Sequence, residues 1–154
     1  MNLSDYILKF LLKKKVKRVF LITGGAISFI VDAFSRNKKI KYICVGHEQA
    51  AAMMADAYSR SGEGFGATMV TSGPGAQNLI TGIACSWFDS VPTIHISGQV
   101  NTYELSTNNK TTKKVRQVGF QETDIVSIVK PITKFAYQLK SPSEIKYILE
   151  KAYY

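Results

Sequence analysis

The chain has 154 residues, 45% of them hydrophobic, which fits one globular domain and excludes intrinsic disorder. No apolar run approaches the roughly 18 residues of a membrane-spanning helix, which argues against a membrane partner. The net charge of +9 is carried by the flanks, with +8 over residues 1–41 and +5 over 110–154 against −4 between them. No nucleic-acid-binding motif accompanies these charges, so they predict no nucleic-acid partner.

Apolar patterning predicts helices and strands that alternate along the chain. The predicted helices cover 4–12, 26–34, 47–60, 76–87, 122–129 and 141–154, the first capped by Ser4 or Asp5 and the last by Ser141 or Ser143. The predicted strands cover 16–23, 40–45, 65–71, 91–97 and 132–139, with a long polar loop at 101–114. Strands separated by helices form βαβ units. We therefore expect an α/β fold with three layers, doubly wound, in which helices cover both faces of a mostly parallel sheet.

Two cysteines, Cys44 and Cys85, lie in apolar segments without the paired spacing of a metal site. This usage excludes zinc sites and disulfide scaffolds and predicts a reducing, cytoplasmic location.

Ligands of parallel sheets bind at the carboxyl ends of the strands, so the residues that follow each predicted strand matter most. They lie at 24–25, 46–48, 71–75 and 98–99. No Gly-Lys-Ser/Thr tripeptide occurs, and residues 73–78 lack the third glycine of a dinucleotide-binding turn. His95 lies inside a predicted strand, where a structural role is favoured, and Ser72 lacks the flanking glycines of a hydrolase nucleophile. Common phosphate-binding and hydrolase sites are therefore not favoured.

Glu48 begins an apolar helix directly after a predicted strand. One interpretation is a charge that complements the helix N-terminus, worth about 0.3–1 kcal/mol. The other is a catalytic carboxylate with few polar neighbours, since residues 50–54 are alanines and methionines. The helix dipole and desolvation shift its pKa in opposite directions, so both interpretations stay open on the residues alone.

Six segments together resemble one enzyme family. They are 46–51 (GHEQAA), 71–84 (TSGPGAQNLITGIA), 89–92 (DSVP), 97–100 (SGQV), 119–124 (GFQETD) and 132–134 (ITK). In this order they resemble the N-terminal pyrimidine-binding domain of thiamine-diphosphate-dependent enzymes, and acetolactate synthase most of all. The resemblance implies an enzyme that decarboxylates a small 2-oxo acid and transfers the resulting carbanion to an acceptor, as in branched-chain amino acid biosynthesis.

The same resemblance implies the roles of individual residues. Glu48 matches the catalytic glutamate that is hydrogen-bonded to N1′ of the cofactor's aminopyrimidine and biases its tautomer. Gly25, Pro74 and Asn78 match residues beside the pyrimidine, and Phe120 and Gln121 match residues on the substrate side. Each also has a structural interpretation: a tight turn for Gly25 and Pro74, a solvated Asn78, a core Phe120 and a local cap at Gln121.

No metal ligands are predicted in this chain, because the Gly-Asp-Gly of the metal–diphosphate motif does not occur. Magnesium and the diphosphate of thiamine diphosphate are then expected on another domain, contributed by the partner subunit of a homodimer or higher homo-oligomer. Whether the larger enzyme also holds FAD stays open. Thr23 and Gly46 replace the proline and arginine usual in synthases, and 101–118 is longer and more polar, so the particular 2-oxo acid stays open too.

We expect residues 1–154 to form a single pyrimidine-binding domain, a fragment of a longer chain, since the last helix has neither a glycine stop nor a following strand. Three alternatives remain. The chain could be the small subunit of a two-chain 2-oxo acid decarboxylase, a non-catalytic binding module on the same fold, or a flavodoxin-like nucleotide binder.

Overall fold

The computed structural model describes residues 1–108 and 115–154. Strands form at β1 (Arg18–Leu21), β2 (Lys41–Cys44), β3 (Gly66–Val70) and β4 (Thr93–Ser97). Helices form at α1 (Leu3–Lys13), α2 (Ser28–Ser35), α3 (Glu48–Arg60), α4 (Pro74–Gln77), α5 (Ile80–Phe88), α6 (Ile125–Val129) and α7 (Ile145–Tyr153). Short 3₁₀ turns lie at Gly25–Ile27, Thr102–Glu104, Ser106–Asn108, Lys130–Ile132 and Pro142–Glu144.

The four strands form one sheet in the order β2-β1-β3-β4, and every pairing between them is parallel. Val19 of β1 is paired with Tyr42 on one side and with Ala67 on the other. All five residues of β3 are buried, as a central parallel strand requires. The predicted α/β fold with a mostly parallel sheet is confirmed.

Helices cover both faces of the sheet because successive side chains of a strand point to opposite sides. Val19 and Leu21 face α1, α2 and α7 in a cluster that also holds Leu11, Phe34, Met69 and Leu149. Phe20 faces the other layer, where its cluster holds Ala51, Ala55, Val70, Ile83 and Val129 from β3, α3, α5 and α6. The apolar spacing of each helix therefore matches the face that it covers.

The predicted strand at 132–139 is wrong. Within the described residues the sheet has no strand beside β4 other than β3, and residues 133–140 form neither a helix nor a strand. Ile132 and Ala136 pack against the α3–α5 cluster, and the rings of Phe135 and Tyr137 stack 6.2 Å apart. The alternating pattern is therefore satisfied by side-chain packing, without a neighbouring strand to accept the backbone hydrogen bonds.

Several predicted helix ends also need correction. The cap of α1 is Asn2, whose Oδ1 accepts a hydrogen bond from the Asp5 amide at 2.8 Å, so neither Ser4 nor Asp5 caps it. The predicted helix at 76–87 divides into α4 and α5. At the C-terminus, Ser141 is confirmed as a cap, but of the 3₁₀ turn that precedes α7.

His95 has the structural role that its position predicts. Its Nδ1 lies 2.7 Å from the Thr68 hydroxyl and its Nε2 lies 3.0 Å from the Thr93 hydroxyl. Burial lowers the pKa of His95 to about 4, so the ring is neutral at pH 7. A neutral imidazole between two hydroxyls ties β3 to β4. In the described part of the chain, no helix has the length and apolar character needed to cross a membrane.

Candidate functional site

The strand order places a ligand-binding edge between β1 and β3. From β1 the chain continues to β2 on one side, and from β3 to β4 on the other, so the connections diverge at this point. Crevices of parallel sheets open at the carboxyl ends of strands at such a switch point. The loops meet there, since a Cβ on Gly24 would lie 2.5 Å from the Cβ of Thr71.

Glu48 and Asn78 come together at this edge, 30 residues apart in sequence. The Nδ2 of Asn78 donates a hydrogen bond of 2.9 Å to Oε2 of Glu48. Glu48 is the first residue of α3 and is half-buried, and Asn78 immediately follows α4. His47 caps α3 by accepting a hydrogen bond from the Gln49 amide through Nδ1 at 3.2 Å. The asparagine thus fixes one oxygen of the carboxylate and leaves the other for a ligand.

The second carboxylate oxygen lies over the turn that follows β3. A Cβ on Gly75 would lie 3.4 Å from Oε1 of Glu48 and 2.8 Å from Cγ2 of Thr71. A side chain at this position would crowd Thr71, so glycine lets the turn form here and keeps the space beside Oε1 free of a side chain. A hydrogen-bond acceptor on a helix N-terminus, with one oxygen fixed and one accessible, can bind an N–H group of a flat ligand.

Polar contacts between α3 and α5 hold these two helices in a fixed relative position. Ser86 of α5 donates a hydrogen bond of 2.8 Å to the buried Asp56 of α3, and Arg60 joins Asp56 to Asp89. The hydrogen bond from Arg60 exceeds the desolvation effect and lowers the pKa of Asp56. These contacts lie toward the carboxyl end of α3, so the two helices are fixed at the end opposite to Glu48 as well.

Two other residues predicted to bind the cofactor stand at the same edge of the sheet. Gly25 begins the 3₁₀ turn after β1, is exposed, and has open space around the position of a Cβ. Pro74 is the first residue of α4 and is also exposed. Their backbone and ring are thus accessible to a ligand, but their own contacts do not join them to the Glu48–Asn78 pair.

One of the two predicted substrate residues, Gln121, lies against the glycine turn 73–75 that follows β3. Gly73 has φ of +58°, and a Cβ there would lie 2.6 Å from the carbonyl oxygen of Gln121 and 2.8 Å from its Cβ. Gln121 itself has φ of +61°, and its neighbour Phe120 is 81% exposed. Phe120 is therefore not a core residue, and the structure brings Gln121, with Phe120 beside it in sequence, against Gly73.

The sequence reasoning missed Glu122. It was predicted to begin a helix, but α6 begins at Ile125 with Asp124 as its cap, and the Glu122 carboxylate binds the preceding loop instead. In the sequence, only its place beside Gln121 indicates a role for Glu122. Its hydrogen-bond partners, Ser106 and Val118, are 16 and 4 residues away and follow no regular spacing.

Comparison with known proteins identifies the family of this chain. Residues 1–128 match the family model described as the thiamine pyrophosphate enzyme, N-terminal TPP binding domain. The chain belongs to this family. The resemblance seen in the sequence is therefore confirmed over most of the chain.

Its relatives include large subunits of acetolactate synthase. The chain is 43% identical to the acetolactate synthase large subunit of Cyanidium caldarium over 147 residues, covering 94% of this chain and 23% of that protein. It is 38% identical to the isozyme 3 large subunit of Escherichia coli strain K12 over 151 residues, covering 98% and 25%. It is 42% identical to the large subunit of Pyropia yezoensis over 142 residues, covering 90% and 22%. The chain thus spans about a quarter of the length of these curated relatives.

The residues at the sheet edge fit the aminopyrimidine of thiamine diphosphate. The accessible Oε1 of Glu48 can face a ring nitrogen, and the absent side chain at Gly75 leaves room beside it. Asn78 keeps the carboxylate in place by binding Oε2. A flat heterocycle with ring nitrogens and an amino group is therefore compatible with the donors and acceptors of the site.

Proposed function

We propose that this chain works as the pyrimidine-binding domain of a larger thiamine-diphosphate-dependent enzyme that resembles acetolactate synthase. Such an enzyme decarboxylates a small 2-oxo acid and transfers the product to an acceptor, as in branched-chain amino acid biosynthesis. The observation that carries the proposal is the Glu48–Asn78 hydrogen bond at the β1–β3 switch point, beside the glycine turn 73–75. The match to acetolactate synthase large subunits supports the reaction class.

Glu48 is the proposed catalytic residue. When bound, the cofactor supplies a carbon acid that becomes the nucleophile for the 2-oxo acid. The role of Glu48 is to hold a proton between its Oε1 and a ring nitrogen of the pyrimidine, which is general acid–base help typically worth about 10²–10⁴-fold. Asn78 orients the carboxylate, Pro74 contacts the pyrimidine, and the backbone at Gly25 provides further hydrogen-bonding groups.

Phe120 and Gln121 are the proposed substrate residues. The exposed ring of Phe120 and the amide of Gln121, which lies against Gly73, would provide an apolar surface and a hydrogen-bonding group for a short 2-oxo acid. Magnesium and the diphosphate would be bound by a separate diphosphate-binding domain of the partner subunit, and any FAD by a further part of the enzyme. We also propose that the enzyme is located in the cytoplasm.

The proposal is tested by comparing the chain alone with the assembled enzyme. Residues 1–154 alone are expected to bind thiamine diphosphate weakly and to leave pyruvate unchanged, because the groups proposed to bind the diphosphate lie outside them. The enzyme that also contains the diphosphate-binding domain is expected to release CO₂ from pyruvate in the presence of thiamine diphosphate and Mg²⁺. Calorimetry and a CO₂ assay measure the two results. Tight magnesium-dependent binding by the chain alone, or no turnover of any short 2-oxo acid by the assembled enzyme, would contradict the proposal.

A homodimer through α3 and α5 is the proposed assembly. Both helices leave large apolar side chains exposed, namely Met53, Met54, Trp87 and Phe88, the last at 76% exposure. Such an interface should bury at least about 1,000 Å² in total. We expect sedimentation equilibrium at tens of micromolar to give a dimer, and Phe88→Glu to shift it toward monomer.

Tyr147→Glu is the matched control for this dimer, because Tyr147 is similarly exposed, at 65%, but lies on α7, which packs against the other face of the sheet. A monomer for the unmodified chain, or an equal effect of both variants, would exclude this interface.

A further inference from the structure

A second carboxylate, Glu122, organises the loop that carries the predicted substrate residues. Its Oε1 accepts hydrogen bonds from both the amide and the hydroxyl of Ser106, each at 2.7 Å. Its Oε2 accepts a hydrogen bond of 2.9 Å from the amide of Val118. One side chain thus joins the 3₁₀ turn Ser106–Asn108 to the segment that begins at Val118.

The loop between Val118 and Thr123 is also fixed on its other sides. A Cβ on Gly119 would lie 2.9 Å from the side chain of Val100, so this glycine is pressed against the end of the β4 loop. Gln99 donates a hydrogen bond of 2.8 Å from Nε2 to the carbonyl of Thr123. Gln121 rests on Gly73, as described above. Phe120, at the tip between these contacts, remains exposed.

The chemistry of Glu122 matches that of a carboxylate that stays ionised. Burial raises the pKa of the Glu122 carboxyl, but the hydrogen bonds from Val118 and Ser106 outweigh this effect and hold the pKa below its usual value. An ionised carboxylate only accepts hydrogen bonds, and here it faces three donors. A glutamine in its place would turn an amide N–H toward the backbone N–H of either Ser106 or Val118, so one of these two backbone hydrogen bonds would be lost.

We propose that Glu122 is a positioning residue that joins Ser106 to Val118 and thereby seats Phe120 and Gln121 on the Gly73 turn, where they select the 2-oxo acid. The effect on selection rests on the proposed function. The seating of the loop is a property of the fold alone and can be measured separately.

The first arm of the test measures the loop itself. Hydrogen–deuterium exchange followed by mass spectrometry is carried out on the assembled enzyme, with and without Glu122→Gln. Because a net hydrogen bond in a protein corresponds to a factor of about 3–10 in an equilibrium, we expect exchange at Ser106 or Val118 to accelerate about 3- to 10-fold. Unchanged exchange at both amides would overturn the proposal whatever the enzyme catalyses.

The second arm measures catalysis. We expect Glu122→Gln to raise KM for pyruvate about 3- to 10-fold, while thiamine-diphosphate affinity and the C2 proton exchange of the bound cofactor stay within twofold. This split separates a substrate-positioning role from general unfolding, which would lower all of them. An unchanged KM, or a loss of C2 exchange, would overturn the proposed role. If the unmodified enzyme turns over no 2-oxo acid, the proposed function fails while the exchange arm still decides whether Glu122 seats the loop.

Two further variants serve as controls. Glu144→Gln alters another carboxylate that accepts several hydrogen bonds, from the Lys140 and Ser141 amides and the Tyr137 hydroxyl, but before α7. It should leave KM unchanged, and an equal rise in KM would show that the Glu122 effect is not specific. Ser106→Ala removes one donor to Glu122, so its effect in the Glu122→Gln background should be smaller than in the unmodified enzyme. Additive effects would show that the two residues act independently and would overturn the proposal.

Discussion

Replacing Glu48 with glutamine is expected to slow C2 proton exchange of the bound cofactor, and turnover with it, by about 10²–10⁴-fold. Glutamine keeps the volume of the side chain and an acceptor for Asn78, but it has no acidic proton to share with the pyrimidine. The free energy of unfolding should change by less than about 1 kcal/mol, which is the size of one charge interaction at a helix end. C2 exchange followed by NMR in the assembled enzyme measures the first effect, and urea denaturation measures the second.

Asn78→Ala provides the comparison for this experiment. It removes the 2.9 Å hydrogen bond to Oε2 but leaves the carboxylate present. We therefore expect it to weaken cofactor binding more than it slows exchange, the reverse of Glu48→Gln. If Glu48 were only a helix-end charge, Glu48→Gln would reduce stability slightly and leave exchange nearly normal. That result, with the cofactor bound, would remove Glu48 from the catalytic role.

Gly66→Ala is expected to be strongly destabilising. Gly66 begins the buried strand β3, and a Cβ there would overlap the carbonyl oxygen of Ala55 in α3 and lie 2.8 Å from Oγ of Ser59. Since the obstacle is a helix backbone, neither side can relax by a change of rotamer. Overpacking of this kind costs about 1–3 kcal/mol and sometimes more. Urea denaturation of the chain followed by circular dichroism gives the change in unfolding free energy.

Gly46→Ala is the matched control. Gly46 also stands at a strand–helix connection, but nothing lies within 4 Å of the position of its Cβ, and its φ is not in the left-handed region. The same substitution should therefore change the unfolding free energy by less than about 0.5 kcal/mol, as for ordinary surface positions. Equal losses in the two variants would show that the close approach of β3 to α3 is not what requires glycine at position 66.

The parallel sheet could be predicted because its strands are short apolar runs that end at glycine or a polar residue. The run Val19-Phe20-Leu21-Ile22 is an example, and its side chains divide between the two faces of the sheet. The segment 132–139 shows where this reasoning stops. Apolar and polar residues do alternate in this segment. Such a pattern shows only which side chains are apolar, whereas a strand also needs a neighbouring strand, and that depends on the rest of the fold.

The candidate site was predictable only in part for a similar reason. A glutamate after a strand indicates the sheet edge where Glu48 and Asn78 meet, and the resemblance supplied Asn78 and the Phe120–Gln121 pair. The contacts that join them depend on side chains that meet across long stretches of sequence, such as Asn78 with Glu48 and Gln121 with Gly73. The secondary-structure propensities of individual residues carry no information about such long-range contacts. The carboxylate of Glu122 was missed because its three donors belong to a loop without regular periodicity.

The contact between Gln121 and Gly73 joins two parts of the site that lie far apart in the sequence. Glu48 and Asn78 lie 30 residues apart, and their hydrogen bond joins α3 to the end of α4. The segment that holds Phe120 lies some 50 residues later in the chain than the turn, and closing a longer loop costs more conformational entropy. During synthesis from the N-terminus, the residues of the Glu48–Asn78 contact therefore leave the ribosome before the segment that would recognise the substrate.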